Sequence, residues 1–245
     1  MLFIRSLLFN VLFYSWTFLC GVIFTPVLFL PRIYTLKVAH FWVGRVIWLC
    51  EHVLHLQFKL IGNERLLKTP SLFAVKHQSF WETFIFYYLL PDPVIALKKE
   101  LLWIPFFGWY LKKLNMIPLS RSTKRGSQDL TRLLRNAEEA VTCKRPLLIF
   151  PEGTRSKPGQ KGVYKAGVGR LYVHLNIPVV PIAHNAGLFW PRRTFVKHPG
   201  QITVDIMDPI KPGLSRQEFM HILENKIEEK TKELIQKERP NEIYT

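Results

Sequence analysis

Cysteine is scarce in this sequence. Its 245 residues contain three cysteines, Cys20, Cys50 and Cys143, which are scattered along the chain. An odd number without a CxxC pair excludes a disulfide framework and a cysteine-based zinc site, and it favours a reducing compartment. Glycine and proline follow no fixed period, and no segment repeats at a spacing of about 20–50 residues. The chain is therefore neither collagen-like nor a solenoid.

Acidic residues are also few. The chain has 18 Asp and Glu against 34 Lys and Arg, which gives a formal net charge of +16. This excess of positive charge favours anionic partners, namely a membrane surface, a nucleic acid or a phosphorylated small molecule. Hydrophobic residues make up 48% of the chain, which excludes a disordered protein and is enough for one or two folded domains.

Charge is absent from residues 6–31. Within this stretch, residues 7–30 form an apolar run of 24 residues, long enough to span a hydrocarbon layer of about 30 Å. No small-residue cleavage site follows, so the run fits a membrane anchor better than a signal peptide. Charged and histidine residues interrupt a second apolar stretch at 34–56, which predicts an amphipathic interfacial helix, with a core helix as the alternative. We therefore divide the chain into an N-terminal membrane anchor with an interfacial helix, 1–55, and a folded domain, 56–245.

Short apolar runs alternate with segments of helical spacing in the second part of the chain. Runs of strand length predict strands at 56–60, 72–75, 94–97, 146–150, 179–183 and 202–206. Helical spacing predicts helices at 80–90, 127–141 and 215–237. This alternation predicts an α/β fold with a mixed, largely parallel sheet flanked by helices, preceded by an N-terminal membrane-associated helical segment.

Two segments that follow apolar runs carry side chains suited to catalysis. His77 follows the run at 72–75, and Glu82 comes five positions later at the start of a predicted helix. A carboxylate at this spacing can fix the tautomer of the imidazole and stabilise the imidazolium that forms when histidine accepts a proton. The spacing also arises by chance, and a histidine that packs at a helix start is the alternative.

The second segment, Phe150-Pro151-Glu152-Gly153-Thr154-Arg155, follows another buried-type strand. It combines a turn, exposed backbone N–H groups, a hydroxyl and a forked guanidinium, which together suit a phosphate monoester. A simple turn between a strand and a helix is the alternative for this segment taken alone.

Together these two segments resemble the motifs of the glycerophospholipid acyltransferases, specifically the 1-acyl-glycerol-3-phosphate acyltransferase family. Two further blocks support the resemblance: Phe107-Gly108-Trp109 with residues 117–122, and the apolar run at 179–183. The similarity extends over about residues 56–210 in the order of the family's motifs. The chain departs from the family at Glu82, where an aspartate is usual, so the carboxylate carries one more methylene group.

The resemblance implies an activity and a set of site residues. The activity is transfer of a fatty acyl group from acyl-CoA or acyl-carrier protein to the sn-2 hydroxyl of 1-acyl-glycerol-3-phosphate, which makes phosphatidic acid. His77 would be the general base and Glu82 the residue that orients it. The implied substrate-binding residues are Arg121, Glu152, Gly153, Thr154 and Arg155. We expect no metal and no cofactor besides the acyl thioester, because His77 has no second ligand at helical spacing.

Two other functions remain open at this point. One is acyl transfer to another lyso-acceptor, such as a lyso-ornithine lipid, a lysophospholipid or a lipid A precursor. The other is a basic membrane-binding or nucleic-acid-binding protein without enzymatic activity. The sequence contains no recognised nucleic-acid module, and a binding protein has no need of both motifs, so we expect no nucleic acid partner.

The positive charge is concentrated in residues 92–170, which carry a net charge of +10. We expect this region to contact anionic membrane lipids, an acidic acyl carrier protein or the phosphates of CoA. Because almost all of the charge follows the apolar run at 7–30, the positive-inside bias predicts that the catalytic domain lies on the cytoplasmic face of the inner membrane.

Overall fold

A computed structural model describes residues 1–66, 71–120 and 126–238. Its strands are β1 (Leu56–Ile61), β2 (Leu72–Val75), β3 (Val94–Lys98), β4 (Ile117–Leu119), β5 (Leu147–Ile149), β6 (Val179–His184) and β7 (Gly200–Ile206). Its helices are α1 (Leu2–Ile23), α2 (Arg32–His52), α3 (Trp81–Leu89), α4 (Phe107–Lys113), α5 (Gly126–Thr142), α6 (Ala166–Leu175) and α7 (Arg216–Glu238).

The strands form one seven-stranded sheet in the order β1-β7-β6-β2-β5-β3-β4. Neighbouring strands run parallel, except for the antiparallel pair β6 and β7. The predicted α/β class with a mixed, largely parallel sheet is therefore confirmed. The short central strands β2 and β5 are apolar and buried throughout, as expected of parallel strands that are covered on both faces.

Helices cover both faces of this sheet. Successive residues of a strand point to opposite faces, so Phe73 lies in one hydrophobic cluster, whereas its neighbours Leu72 and Ala74 lie in the other. The first cluster joins the sheet to side chains of α1, α2 and α3, and the second joins it to α5, α6 and α7. Helices therefore pack on both faces of the sheet.

The helix α1 has one buried face and one exposed face. Its 22 residues and apolar composition are sufficient to cross a membrane. Phe9 and Phe13 are buried, and the Phe9 ring meets the Trp190 ring edge-on at 5.3 Å. Most of the remaining side chains of α1 are apolar and exposed: Phe3, Ile4, Leu7, Leu8, Val11, Leu12, Tyr14, Phe18, Leu19, Val22 and Ile23.

A polar contact fastens α1 to the segment that precedes β7. The backbone N–H of Lys197 donates to the Ser6 hydroxyl at 2.9 Å, and the Lys197 ammonium donates to the Asn10 side chain at 3.1 Å. The same ammonium lies over the rings of Phe9 and Trp190, at 5.5 and 5.1 Å from their centroids. The Asn10 side chain and the two aromatic rings therefore stabilise the buried ammonium of Lys197.

One face of the helix α2 packs on the core. Seven of its side chains are buried, and Val43, Val46, Ile47 and Leu49 belong to the same hydrophobic cluster as the first face of the sheet. Other large side chains of this helix, among them Phe41 and Trp48, are exposed, so the interfacial helix stays a prediction. The boundary at residue 55 separates two helices from the sheet, but it does not separate two hydrophobic cores.

Candidate active site

The two candidate segments meet at one edge of the sheet. His77 follows β2, and the segment from Phe150 to Arg155 follows β5. These strands are parallel neighbours, paired from Leu72 with Leu147 to Ala74 with Ile149. Both segments therefore leave the sheet at the carboxyl ends of adjacent strands, where open α/β sheets bind their ligands.

His77 and Glu82 form a hydrogen-bonded dyad. The distance from His77 Nδ1 to Glu82 Oε1 is 2.8 Å. Glu82 is the second residue of α3 and is fully buried, and its Oε1 also accepts the backbone N–H groups of Gln78 and Ser79, each at 2.9 Å. An ionised carboxylate only accepts hydrogen bonds, so the proton of the neutral imidazole lies on Nδ1 and leaves Nε2 as the basic nitrogen.

The surroundings of Glu82 keep its carboxylate ionised. Burial raises the pKa of this carboxyl, but the hydrogen bond from His77 and the backbone N–H of Ser79 oppose burial, and the pKa lies below its usual value. The start of a helix is also a favourable place for a negative charge. Glu82 can thus stabilise an imidazolium at His77 as the aspartate of a catalytic triad does.

The segment that follows β5, from Phe150 to Ser156, contacts both the ring and the backbone of His77. The Phe150 ring stacks on the imidazole with centroids 4.2 Å apart and an interplanar angle of 22°. The carbonyl of His77 accepts the Ser156 N–H at 2.8 Å and the Ser156 hydroxyl at 3.2 Å. The side chain of His77 keeps 15% of its surface exposed, whereas that of Glu82 is fully buried.

The side chain of Glu152 is buried. It is 1% exposed, and its Oε1 accepts the backbone N–H of His77 at 3.0 Å and lies 3.2 Å from the buried ammonium of Lys76. Burial raises the pKa of Glu152, and the charge of Lys76 opposes that rise. Its carboxylate therefore points into the protein and joins the two segments of the site, and its place among the substrate-binding residues stays a prediction.

Gly153, Thr154 and Arg155 lie on the outer side of the same turn. Gly153 has a φ of +65°, a conformation that favours glycine, and both Gly153 and Thr154 are exposed. The guanidinium of Arg155 lies 5.8 Å from the centroid of the Phe80 ring. Arg192 donates to the backbone carbonyl of Arg155 at 2.7 Å and so adds a second guanidinium to this region. Arg121 lies outside the described residues.

His184 is a site neighbour that the sequence reasoning missed. It ends β6, which pairs with β2, and it is fully buried. Its Nε2 donates to the carbonyl of Lys76 at 2.7 Å, and its Nδ1 accepts the Ala186 N–H at 3.2 Å. Burial lowers the pKa of His184, so this histidine is neutral and supports the backbone next to His77. The run at 179–183 was a signal for it, because a residue that follows a strand beside β2 lies near the same edge.

Several of the basic residues at 92–170 form ion pairs within the protein. Arg145 contacts Asp92 at 3.1 Å, and Lys161 contacts Glu224 at 2.5 Å. Lys124 and Arg125 belong to residues that the structure leaves undescribed. Part of the positive charge of the described residues therefore serves the fold.

In the part of the chain that the structure describes, no group of three or more His, Cys, Asp or Glu side chains is placed to hold a metal ion. The chemistry that the described residues support is general base catalysis. His77 Nε2 can accept a proton, Glu82 can hold the imidazole in place, and the turn that includes Arg155 carries positive charge.

Comparison with known proteins identifies several similar chains. A family model described as "Acyltransferase" matches residues 57–185. The 1-acyl-sn-glycerol-3-phosphate acyltransferase of Pseudomonas aeruginosa is 37% identical over 206 residues, which cover 83% of this chain and 79% of the relative. The enzyme of the same name from Saccharomyces cerevisiae is 31% identical over 162 residues, which cover 64% of this chain and 53% of that relative.

A solved structure has the same fold. The crystal structure of the 1-acyl-sn-glycerophosphate (LPA) acyltransferase PlsC from Thermotoga maritima superposes with a TM-score of 0.77 at 24% sequence identity. The superposition covers 96% of this chain and 98% of that structure. The match therefore includes the N-terminal helices α1 and α2 as well as the sheet.

Proposed function

This chain belongs to the acyltransferase family, and from that premise and the geometry of its site we infer that it is a 1-acylglycerol-3-phosphate O-acyltransferase. It transfers a fatty acyl group to lysophosphatidic acid and makes phosphatidic acid. The observation that carries the inference is the 2.8 Å contact between His77 and Glu82 beside the turn that carries Arg155. A base and a cation suited to phosphate lie at the same sheet edge, as an acceptor with both a hydroxyl and a phosphate requires.

The reaction proceeds by direct transfer between an acyl thioester and the acceptor. His77 Nε2 takes the proton of the acceptor hydroxyl, and the oxygen of that hydroxyl attacks the carbonyl carbon of the thioester. The new ester bond forms, the carbon–sulfur bond breaks, and the imidazolium returns its proton to the leaving thiolate. Glu82 stabilises the imidazolium between these two proton transfers. General acid–base catalysis of this kind contributes about 10²–10⁴-fold to the rate.

The phosphate of the acceptor binds beside the turn at Gly153, Thr154 and Arg155. The exposed Thr154 supplies a hydroxyl as hydrogen-bond donor, and the guanidinium of Arg155 supplies charge. Arg121 completes this site in our proposal, as the resemblance of residues 117–122 implies. The acyl donor is acyl-CoA or acyl-carrier protein, and the exposed basic residues of the chain suit the phosphates or acidic surface of either donor.

The protein is bound to the membrane in our proposal, with its catalytic site on the cytoplasmic face of the inner membrane. The exposed apolar face of α1 suits insertion into lipid, and the net positive charge of the chain suits anionic headgroups. This location also places His77 beside the two reactants, because one is a lipid and the other is a cytoplasmic thioester.

The proposed function is tested with purified full-length protein and a panel of acceptors. The panel contains lysophosphatidic acid, monoacylglycerol, a zwitterionic lysophospholipid and a lyso-ornithine lipid, each with acyl-CoA or acyl-carrier protein. We expect lysophosphatidic acid to be converted to phosphatidic acid, measured by mass spectrometry, and monoacylglycerol to react poorly because it lacks the phosphate. His77→Ala is the control and should abolish turnover without unfolding the protein. Equal conversion of monoacylglycerol, or wild-type activity of His77→Ala, would contradict the proposal.

A further inference from the structure

Lys76 is a buried charge directly next to the catalytic base. It lies between β2 and His77, and its side chain has no exposed surface. Its ammonium donates to Glu228 Oε1 at 2.7 Å and lies 3.2 Å from Glu152 Oε1. Lysine is almost never fully buried unless it is paired, so these two carboxylates are what allow it to occupy this position.

The contacts of Lys76 connect the C-terminal helix with the site. Glu228 lies on α7, 152 residues further along the chain, and also accepts the Tyr164 hydroxyl at 2.9 Å. Glu152 is in the turn that carries Arg155, and the same oxygen that faces Lys76 accepts the N–H of His77. The continuous series of contacts therefore runs from Glu228 through Lys76 and Glu152 to the backbone of His77.

The charge of Lys76 also acts on Glu152. Burial raises the pKa of Glu152, and the nearby ammonium is the largest of the influences that oppose this rise, ahead of the hydrogen bonds from His77 and Ser156. Without Lys76, a buried carboxylate would remain beside a second carboxylate without a counter-charge. Glu152 would then take up a proton or move toward water, and the hydrogen bond that it accepts from His77 would change in either case.

We propose that Lys76 is a positioning residue for acyl transfer, which holds Glu152 against the His77 backbone with α7 as its support. In this way it fixes the imidazole relative to the phosphate-binding turn, so that the hydroxyl of a bound acceptor lies at hydrogen-bond distance from Nε2. The proposal rests on the proposed function, since its effect is measured as acyl transfer. Lys76 does not touch the substrate, because its side chain is enclosed on the inner side of the turn.

The role in positioning is distinguishable from a role in stability. A buried ion pair can often be replaced by apolar residues at little cost in stability, whereas removal of one partner leaves an uncompensated charge. The loss of acyl-transfer activity caused by Lys76→Met should therefore depend on whether residue 152 is glutamate or glutamine. Glutamine at that position needs no counter-charge and still presents an oxygen to the His77 N–H.

The test compares Lys76→Met with two double variants, Lys76→Met/Glu152→Gln and Lys76→Met/Glu228→Gln. For the single variant we expect kcat to fall about 10–100-fold, since a displacement of about 1 Å can cost 10²-fold. The KM for lysophosphatidic acid should rise several-fold, because Glu152 belongs to the phosphate-binding turn, while the KM for the thioester stays unchanged. The double variant that includes Glu152→Gln should regain most of the activity. The double variant that includes Glu228→Gln should stay as impaired as Lys76→Met, because it retains a Glu152 carboxylate without a counter-charge.

Glu224→Gln is the matched control on α7. It removes a carboxylate one helical turn from Glu228, where the partner is the exposed Lys161, and we expect wild-type kinetics. If Lys76→Met does not fold, Lys76→Gln keeps an amide donor between the carboxylates and is expected to depend on residue 152 in the same way.

Two results would overturn the proposal. One is wild-type kcat and acceptor KM in Lys76→Met. The other is equal recovery of both double variants in parallel with their melting temperatures and without any change in acceptor KM, which would assign Lys76 a structural role alone. Wild-type turnover of lysophosphatidic acid checks the proposed function separately. If the wild type acylated another lyso-acceptor, the same variants would be compared with that acceptor.

Discussion

Substitution of Glu82 by glutamine separates the charge of the dyad from its shape. The Oε1 atom of Glu82 accepts three hydrogen bonds, from His77, Gln78 and Ser79, whereas Oε2 accepts one from Ser79 at 3.0 Å. The amide therefore places its oxygen where the three donors converge and its NH₂ group where Oε2 was. The hydrogen bond to His77 Nδ1 survives, so the imidazole keeps its tautomer and orientation while the negative charge behind it is lost.

The expected fall in kcat on Glu82→Gln follows from the burial of the Glu82 carboxylate. Glu82 is fully enclosed, and removal of one partner of a buried ion pair costs about 3–5 kcal/mol. This cost applies when His77 is an imidazolium, so it raises the barrier of the reaction more than it weakens substrate binding. At about 1.4 kcal/mol for each factor of ten, kcat should fall about 10²–10⁴-fold.

The assay is steady-state acylation of lysophosphatidic acid by full-length Glu82→Gln in detergent, with the melting temperature measured alongside. Glu82→Asp is the control, because it keeps the charge and shortens the side chain by one methylene, and its kcat should stay within about tenfold of the wild type. Glu82→Ala should be as severe as the glutamine variant or worse, because it also leaves buried N–H groups without an acceptor. A Glu82→Gln enzyme with more than a tenth of wild-type kcat would refute the claim that the negative charge of Glu82 stabilises the His77 imidazolium.

Three further predictions concern the acceptor, the membrane and the effect of pH. Arg155→Ala should weaken apparent affinity for lysophosphatidic acid about 10–150-fold in initial-rate measurements, since a charged hydrogen bond is worth about 1.5–3 kcal/mol; a larger effect on the thioester would move Arg155 to the donor site. The full-length protein should sediment with membranes at high salt and be released by detergent, because salt at about 1 M screens charges beyond about 3 Å but leaves apolar contacts in place; complete release by salt alone would contradict an apolar anchor. Burial lowers the pKa of His184, so its contribution to stability is present above its unfolded-state value near about 6.5 and is lost as the pH falls through the lower folded-state value. The fall in melting temperature on acidification should be smaller in His184→Gln, and an unchanged slope would mean that another group accounts for it.

Sequence periodicity located the elements that have a clear apolar face or a continuous apolar run. The predicted helices at 80–90, 127–141 and 215–237 correspond to α3, α5 and α7, and each predicted strand has a counterpart in the sheet. The helix α6 was not predicted. It contains Gly167 and Gly169, which lower helix propensity, and Gly169 is where the helix meets α7: a Cβ there would lie about 2.9–3.0 Å from side-chain atoms of Arg216 and Met220. The contact that requires this glycine involves residues far away in the chain.

Contacts between residues close in the chain could also be predicted at the site, whereas contacts between distant residues could not. His77 and Glu82 are five residues apart, so their pairing could be proposed from local spacing. Lys76 and Glu228 are 152 residues apart and belong to no common period, so their ion pair becomes visible only when α7 is placed against the sheet. The family resemblance placed Glu152 among the substrate-binding residues, whereas its contact with the Lys76 ammonium at 3.2 Å could be seen only in the folded chain.

The fastening of α1 to the catalytic body has a thermodynamic consequence. Ser6, Phe9 and Asn10 contact the segment around Trp190 and Lys197, so α1 keeps its exposed apolar face in place only while the body is folded. An amphiphile that covers this face is therefore a ligand of the native state, and it stabilises the whole protein by mass action. The gain is about 2.7 kcal/mol at a concentration one hundred times its dissociation constant. Lipid composition should therefore set the melting temperature of the catalytic body as well as the location of the enzyme, and cutting away α1 should lower that temperature rather than release an intact soluble enzyme.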